Sequence, residues 1–452
     1  MTARLAVLLA SLGISVSLAG AGMACERDGM RFPLKVEDQK AYPTYIGGQP
    51  FFMHGDTAWS LLADLTEEEA FVYLQDRRAR GFNTILVSLI EHRFSRNAPA
   101  NAYGERPFAT GADFAKPNEA YFAHADKVLR KACELGFLVM LTPSYLGFAG
   151  GNEGWYAEMA ATGTGNLEAY GRFIGEHYRH LDNIMWVHGG DYDPADRDLV
   201  RAVARGIVAT DPDALGTVHT APETAPLDFW SREPWLQVNN VYTYGPVHPA
   251  AIREHRSRGG MPFFLMESAY EFERGADEYR IRIQAYHAIL AGAFGHLFGN
   301  NPIWHFGGPG LQPPPMDWKE ALDSPGARSM QVLVEFVLSR KWWLLEPDAE
   351  NGLLVEGIGA GMQQAVAATA RDGSFGLVYM PGSTGVGVDL ARLATSPVNA
   401  RWIDPTTGEA TRVDGSPFAP DRTRFKPPRH NERGYTDWIL ELVPQQPTER
   451  IQ

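Results

Sequence analysis

Between residues 51 and 306 one hydrophobic pattern recurs eight times. A short apolar run rich in β-branched and aromatic residues ends in polar or aromatic positions, and in most cases a segment of helical periodicity follows. The runs are FFMHGDTAW (51–59), FNTILVSLI (82–90), FLVMLTPSY (137–145), NIMWVHGGD (183–191), LGTVHTAP (215–222), LQVNNVYTYG (236–245), FFLMESAYE (263–271) and GHLFGNNPIWHF (295–306). Continuous apolar strands alternating with amphipathic helices predict a parallel sheet covered on both faces. Eight such units predict an α/β fold of the closed (β/α)8 barrel type, here assigned to residues 25–346. An open doubly wound sheet fits less well, because no glycine-rich phosphate loop follows the first run. The helical segments carry their own punctuation: TEEEAFVYLQDRRARG (66–81) opens with a Thr66/Glu69 capping box and closes on Gly81.

Past Pro347 the periodicity shortens. GLLVEG, QQAVAATA, FGLVYMP, VGVDL, NARWIDPTTGEATRV and DWILELV are brief strands separated by turn residues, which predict a β-sandwich accessory domain over 347–452. The first 24 residues show a different pattern: Arg4, an apolar stretch, then small residues, the form of a secretory signal peptide. The expected protein is therefore exported, to the periplasm or beyond. A lipid anchor on Cys25 is the weaker alternative, since no leucine stands where a lipobox places one. No later segment offers the roughly 20 unbroken apolar residues of a membrane span. Of the two cysteines, Cys25 borders the signal and Cys133 falls in a helical pattern, so no disulfide framework and no cysteine-based zinc site is expected. A net charge of −13 excludes a general nucleic-acid-binding role.

Barrels of this kind work at the C-terminal ends of their strands. Those ends supply His54, Asp56 and Trp59; Glu91, His92 and Arg93; Tyr145; His188 and Asp191; His219; Asn239, Tyr242 and Tyr244; Glu267; and Trp304 and His305. Carboxylates, aromatic rings and amides together suit a sugar, whose hydroxyls take hydrogen bonds and whose C–H faces stack on rings. Asp191 and Glu267 end the fourth and seventh runs, on opposite sides of a barrel mouth, as glycoside hydrolysis requires of its acid and its nucleophile or base. A carboxyl separation of about 5–5.5 Å would mean retention of configuration, and about 6.5–9.5 Å inversion. Asp193 is the expected cap of the helix after Pro194, which leaves Asp191 free. His54, Asp56, Trp59, His92, Arg93, Tyr145, His188, His219, Asn239, Tyr242, Tyr244 and Trp304 are candidate substrate contacts, with Tyr242 or Tyr244 orienting Glu267. A metal-dependent hydrolase would draw on His54, His188, His219 and Asp56, but the first run reads His-Gly-Asp rather than His-x-His, and His-Glu-x-x-His is absent. No cofactor is expected. A non-catalytic carbohydrate- or matrix-binding protein on the same scaffold is the other alternative.

The stretches GQPFFMHGDTAW, RRARGFNTILVSL, MWVHGGDYDP and FFLMESAYE, followed by a small β domain containing RWIDPTTGEA, resemble the bacterial proteins with an apiosidase-like catalytic domain and a C-terminal collagen-binding-type domain. That family is similar to glycoside hydrolase family 140, which acts on apiose linkages in pectin. The resemblance implies a general acid/base at Asp191, a nucleophile at Glu267, and a pectic polysaccharide or oligosaccharide as substrate. Related barrels usually carry Asn-Glu after the fourth strand, so Gly-Asp here departs from the wider clan. DPTTGE reads as a hairpin turn and lends no support to collagen binding.

Overall fold

Every one of the eight apolar runs forms a strand. In the computed structural model, which describes residues 25–257 and 259–445, they are β1 (Met53–Thr57), β2 (Thr84–Ser88), β3 (Leu138–Thr142), β4 (Ile184–Gly189), β5 (Leu215–His219), β6 (Asn239–Tyr242), β7 (Phe263–Glu267) and β8 (Gly295–Phe298). They pair in parallel in the order β5-β4-β3-β2-β1-β8-β7-β6. Between β5 and β6 no ladder forms among the described residues. The seam is stitched instead by the Asn240 side-chain amide, which donates to Thr217 Oγ1 (3.0 Å) and the Val218 carbonyl (2.8 Å), and by the amides of Gln237 and Val238, which donate to the Gly216 carbonyl. The result is a nearly closed barrel.

Local chemistry sets the helix ends. The capping box at Thr66 and Glu69 forms as expected, starting the helix Glu67–Ala79. Gly136, after the helix Glu119–Glu134, adopts φ +70°, and a Cβ there would lie 2.4 Å from the Glu26 carbonyl. That close approach comes from a feature the hydrophobic pattern does not reveal: an antiparallel sheet of Glu26–Arg27, Met30–Lys35 and Thr44–Ile46 that packs at the N-terminal ends of the barrel strands. Arg27 Nη1 donates to the Phe82 carbonyl at 2.8 Å, just before β2. The two cysteines also depart from expectation. Cys25 and Cys133, 108 residues apart, form a disulfide that ties this N-terminal sheet to the helix Glu119–Glu134. The signal-like segment itself lies outside the described residues.

The C-terminal region holds two antiparallel sheets. One has six strands in the order 345–347, 366–370, 376–380, 438–444, 398–403, 410–412, and the other three, 354–356, 386–389, 422–425. Strand alternation gives the six-stranded sheet two buried faces. Val378, Met380, Leu440 and Leu442 meet Val386, Val388 and Phe425 of the smaller sheet. Leu377, Tyr379, Ala368 and Ile439 join the barrel's core, against the helices Glu278–Leu290 and Pro325–Leu338. The junction carries a fully buried ion pair. Asp437 accepts Arg282 Nε and Nη2 at 2.7 and 2.9 Å, Tyr379 Oη at 3.0 Å and Asn431 Nδ2 at 2.9 Å.

Candidate active site

Two carboxylates reach the barrel mouth by different local devices. In β7, Phe263 and Leu265 face the outer helices, and strict alternation would send Glu267 the same way. The pairing with β6 shifts register between Leu265 and Glu267, an irregularity that turns the carboxylate into the cleft. At the end of β4 the chain takes three consecutive positive φ values: Gly189 at +80°, Gly190 at +135° and Asp191 at +48°. Glycine is required twice. A Cβ on Gly189 would lie 2.6 Å from the His219 carbonyl, and one on Gly190 would lie 2.3 Å from Tyr145 Cδ2. This sharp exit sets Asp191 on the rim, half-buried, with its carboxylate taking the Tyr145 hydroxyl at 2.5 Å.

Between the two acids lies His219, fully buried at the end of β5. Its Nε2 is 3.2 Å from Glu267 Oε2 and 3.9 Å from Asp191 Oδ1. Its Nδ1 accepts the Asp191 backbone amide at 3.3 Å, which leaves the proton of the neutral ring on Nε2, facing Glu267. One oxygen each of Asp191 and Glu267 and a ring nitrogen of His219 all lie within 4.8 Å of one another. Tyr244 Oη donates to Glu267 Oε1 at 2.8 Å, and Tyr242 stacks on the His219 ring at 4.9 Å. Burial pushes the Glu267 carboxyl above the usual glutamate range. Asp191 adds to the rise, while His219 and Tyr244 hold it back. Burial also opposes a charge on His219, yet Asp191 and Glu267 together raise its pKa above the ordinary value.

The cleft holds about 430 Å³. Trp59, Tyr145, Asp191, Tyr242, Tyr244, Glu267 and Trp304 all line it, with His219 directly beneath. Residues beyond the strand tips complete it: Phe148 and Glu153 after β3, Tyr270, Glu273 and Arg274 after β7, and Leu311 after β8. Trp59 Nε1 donates to Tyr270 Oη (3.0 Å) and Trp304 Nε1 to Glu273 (2.8 Å), so the rings are fixed. Glu91 forms part of the floor, its carboxylate taking the amides of His92, Arg93 and Phe94 and the Ser60 hydroxyl.

Six candidate contacts lie elsewhere. His54 and Asp56 point from β1 toward the outer helix: His54 stacks on Phe82, and Asp56 pairs with Arg77 (3.3 Å) and Tyr73 (2.9 Å). Burial pushes the Asp56 carboxyl up to about 6 even beside that guanidinium. His92 bonds Glu158, and Arg93 reaches Asn152 on the surface. His188 packs against Trp235, with burial lowering its pKa to about 3. Asn239 donates to Glu254. Asp193 is not a helix cap; it accepts the Ala221 amide and the Thr224 hydroxyl, tying two rim loops together. The histidines and Asp56 first considered as metal ligands do not converge. Among the described residues, Asp191, His219 and Glu267 could hold an ion; Cys25, Cys133 and Asp182 also cluster, but both sulfurs are spent in the disulfide and are not available as ligands.

The family model described as "Apiosidase-like, catalytic domain" matches residues 37–344. The chain belongs to that family. A second model, "Putative collagen-binding domain of a collagenase", matches residues 347–443. No curated protein matches the sequence. Among solved structures, the apiosidase-like chain is similar to one described as a glycoside hydrolase, with 24% identity, TM-score 0.77, and 91% of this chain and 97% of the other covered. It is also similar to a glycoside hydrolase family 5 protein from Bacteroides vulgatus, with 22% identity, TM-score 0.78, and 91% and 93% covered. At these identities the likeness is one of fold. It is membership of the apiosidase-like family that makes the barrel a catalytic domain of glycoside-hydrolase type.

Proposed function

We propose that the protein is an exported hydrolase that cleaves O-glycosidic bonds in plant cell-wall, pectic glycans with retention of configuration. The observation that carries this reading is the approach of one oxygen of Asp191 and one of Glu267 to within 4.8 Å across one cleft, which brings the two carboxylates to a single bond as a retaining pair requires. Asp191 gives its proton to the leaving oxygen as Glu267 attacks the anomeric carbon and forms a glycosyl ester. Asp191, now a carboxylate, takes a proton from water, whose oxygen displaces Glu267. Glu267 must be ionised to attack, and burial opposes that. The Tyr244 hydroxyl, which donates to Oε1, and His219, whose Nε2 lies 3.2 Å from Oε2, counter it by favouring the charged form. Apiose linkages in pectin are proposed on family membership. Export is supported by the leader's signal-like pattern and by the Cys25–Cys133 disulfide, a bond that persists in oxidising compartments. The same bond argues against a lipid on Cys25, whose sulfur is already committed.

The test is kinetic. Glu267→Gln and Asp191→Asn are each expected to lose at least about a thousandfold in rate on pectic oligosaccharides, with the wild type releasing the retained anomer by NMR and keeping full activity after chelation. Near-normal turnover in either variant, or an inverted first product, overturns the reading.

A further inference from the structure

We propose that Glu223 is a positioning residue that holds Tyr244 against the nucleophile Glu267; the assignment rests on the hydrolase reading above. Glu223 lies on the loop after β5, exposed to solvent, yet both of its carboxylate oxygens are taken by the loop after β6. Oε2 accepts the Thr243 hydroxyl at 2.6 Å and Oε1 the Tyr244 amide at 3.0 Å, while the Glu223 amide donates to the Tyr242 carbonyl at 3.0 Å. These bonds join the two loops at the mouth end of the seam where β5 and β6 form no ladder among the described residues. They are held in an unfavourable backbone. Glu223 sits at φ +68°, a left-handed conformation that a residue with a Cβ rarely adopts. Such strain persists where surrounding contacts over-determine it, and it gathers at active sites.

The residue so held is one that touches the nucleophile. Both backbone polar groups of Tyr244 are fixed. Glu223 takes its N–H, and Arg280 Nη2 donates to its carbonyl at 3.1 Å and to the Gly245 carbonyl at 3.3 Å. Packing alone does not fix the Tyr244 ring, which is 37% exposed at the cleft. The Tyr242 hydroxyl donates to Tyr244 Oη at 3.2 Å, which directs the Tyr244 proton to Glu267 Oε1 at 2.8 Å. A shift of the Tyr244 backbone therefore passes straight to the nucleophile. The loop carrying Glu223 is anchored on the acid's side as well, where Asp193 accepts the Ala221 amide at 3.1 Å and the Thr224 hydroxyl at 2.7 Å. One short loop thus runs from the segment that carries Asp191 to the partner of Glu267.

The test exploits the strain. Glycine is at ease at φ +68°, so Glu223→Gly deletes the carboxylate while relaxing the backbone. On a pectic oligosaccharide it is expected to lower kcat about tenfold with KM within about threefold of wild type, because the loss falls on the reacting step. Tyr244→Phe should also lose about tenfold. The double variant should be no slower than Tyr244→Phe alone, because Glu223 acts through that hydroxyl. Glu223→Gln keeps an acceptor for the Tyr244 amide and should recover most of the loss. Arg280→Met frees the other polar group of the same residue and should show the same non-additivity, an independent reading if Glu223→Gly does not fold. Deuterium exchange at the Tyr244 amide of the full chain should quicken about tenfold in Glu223→Gly. A folded Glu223→Gly enzyme with wild-type kcat, losses that multiply in the double variants, or unchanged exchange at Tyr244 overturns the proposal. A wild type that cleaves no pectic glycan overturns the hydrolase reading, while the exchange rates still judge the hold of Glu223 on Tyr244.

Discussion

Replacing Gly190 by alanine tests whether the exit from β4 positions the acid. The added Cβ would lie 2.3 Å from Tyr145 Cδ2, 2.9 Å from Cε2 and 3.0 Å from the Leu146 nitrogen. Ordinary contact begins at 3.4 Å, so the ring must retreat by about 1 Å. That ring carries the hydroxyl bonded to Asp191 at 2.5 Å. The backbone at φ +135° adds a conformational cost for alanine of about 1–3 kcal/mol. Misplacing a reacting group by about 1 Å costs on the order of a hundredfold in rate, which is about 2.7 kcal/mol of barrier. Gly190→Ala should therefore lose about a hundredfold in kcat. Tyr145→Phe, which removes the hydroxyl without adding bulk, should lose about tenfold, the low end for a hydrogen bond to a charged group. Initial rates on a pectic oligosaccharide, alongside thermal melts to confirm folding, separate the two. A folded Gly190→Ala enzyme within threefold of wild-type kcat would refute the argument.

Three further outcomes follow from the same contacts. Glu267 must lose its proton to attack and its pKa is raised, so kcat/KM should fall as pH drops through a value above 4.5. His219→Gln, which removes a group holding that pKa down, should move the acid limb higher still, and a limb at or below 4.5 in the wild type contradicts the assignment. Cys133→Ser opens a loop of 108 residues, which chain entropy values at about 4–5 kcal/mol, so melts should show a clear loss of Tm that reductant reproduces in the wild type. Asp437→Asn leaves Arg282 buried without its counter-ion and should cost about 3–5 kcal/mol in denaturant unfolding; a change under about 1 kcal/mol would mean the guanidinium finds another partner.

The barrel was legible because each strand is a continuous apolar run, and because the strand ends are where polar residues begin. Side-chain direction was less legible. Asp56 sits near a strand tip and His54 two residues earlier on the same face, yet both point to the outer helix, since alternation decides direction and the tip alone does not. Glu267 reaches the cleft only through a register shift that no spacing encodes. The rim residues Phe148, Tyr270, Glu273, Arg274 and Leu311 come from loops, where no periodicity constrains placement. The aromatic and charged residues in SAYEFERG (268–275), at and just past the end of the seventh run, were the available hint. The disulfide escaped because two cysteines 108 residues apart carry no spacing signature. The N-terminal sheet escaped because its strands are short and interrupted by charged residues, with no run long enough to show a period.

The six-stranded sheet has consequences for how the gene can be cut. The helix it covers, Glu278–Leu290, follows the loop of Glu273 and Arg274 and is buried without interruption from Ile281 to Leu290. A protein ending at residue 346 would open that helix to water along its outer side and strip Arg282 of its counter-ion. The C-terminal unit therefore serves as a wall of the catalytic half, and a cassette exchange that treats it as a detachable tether would produce insoluble protein before it produced a new specificity.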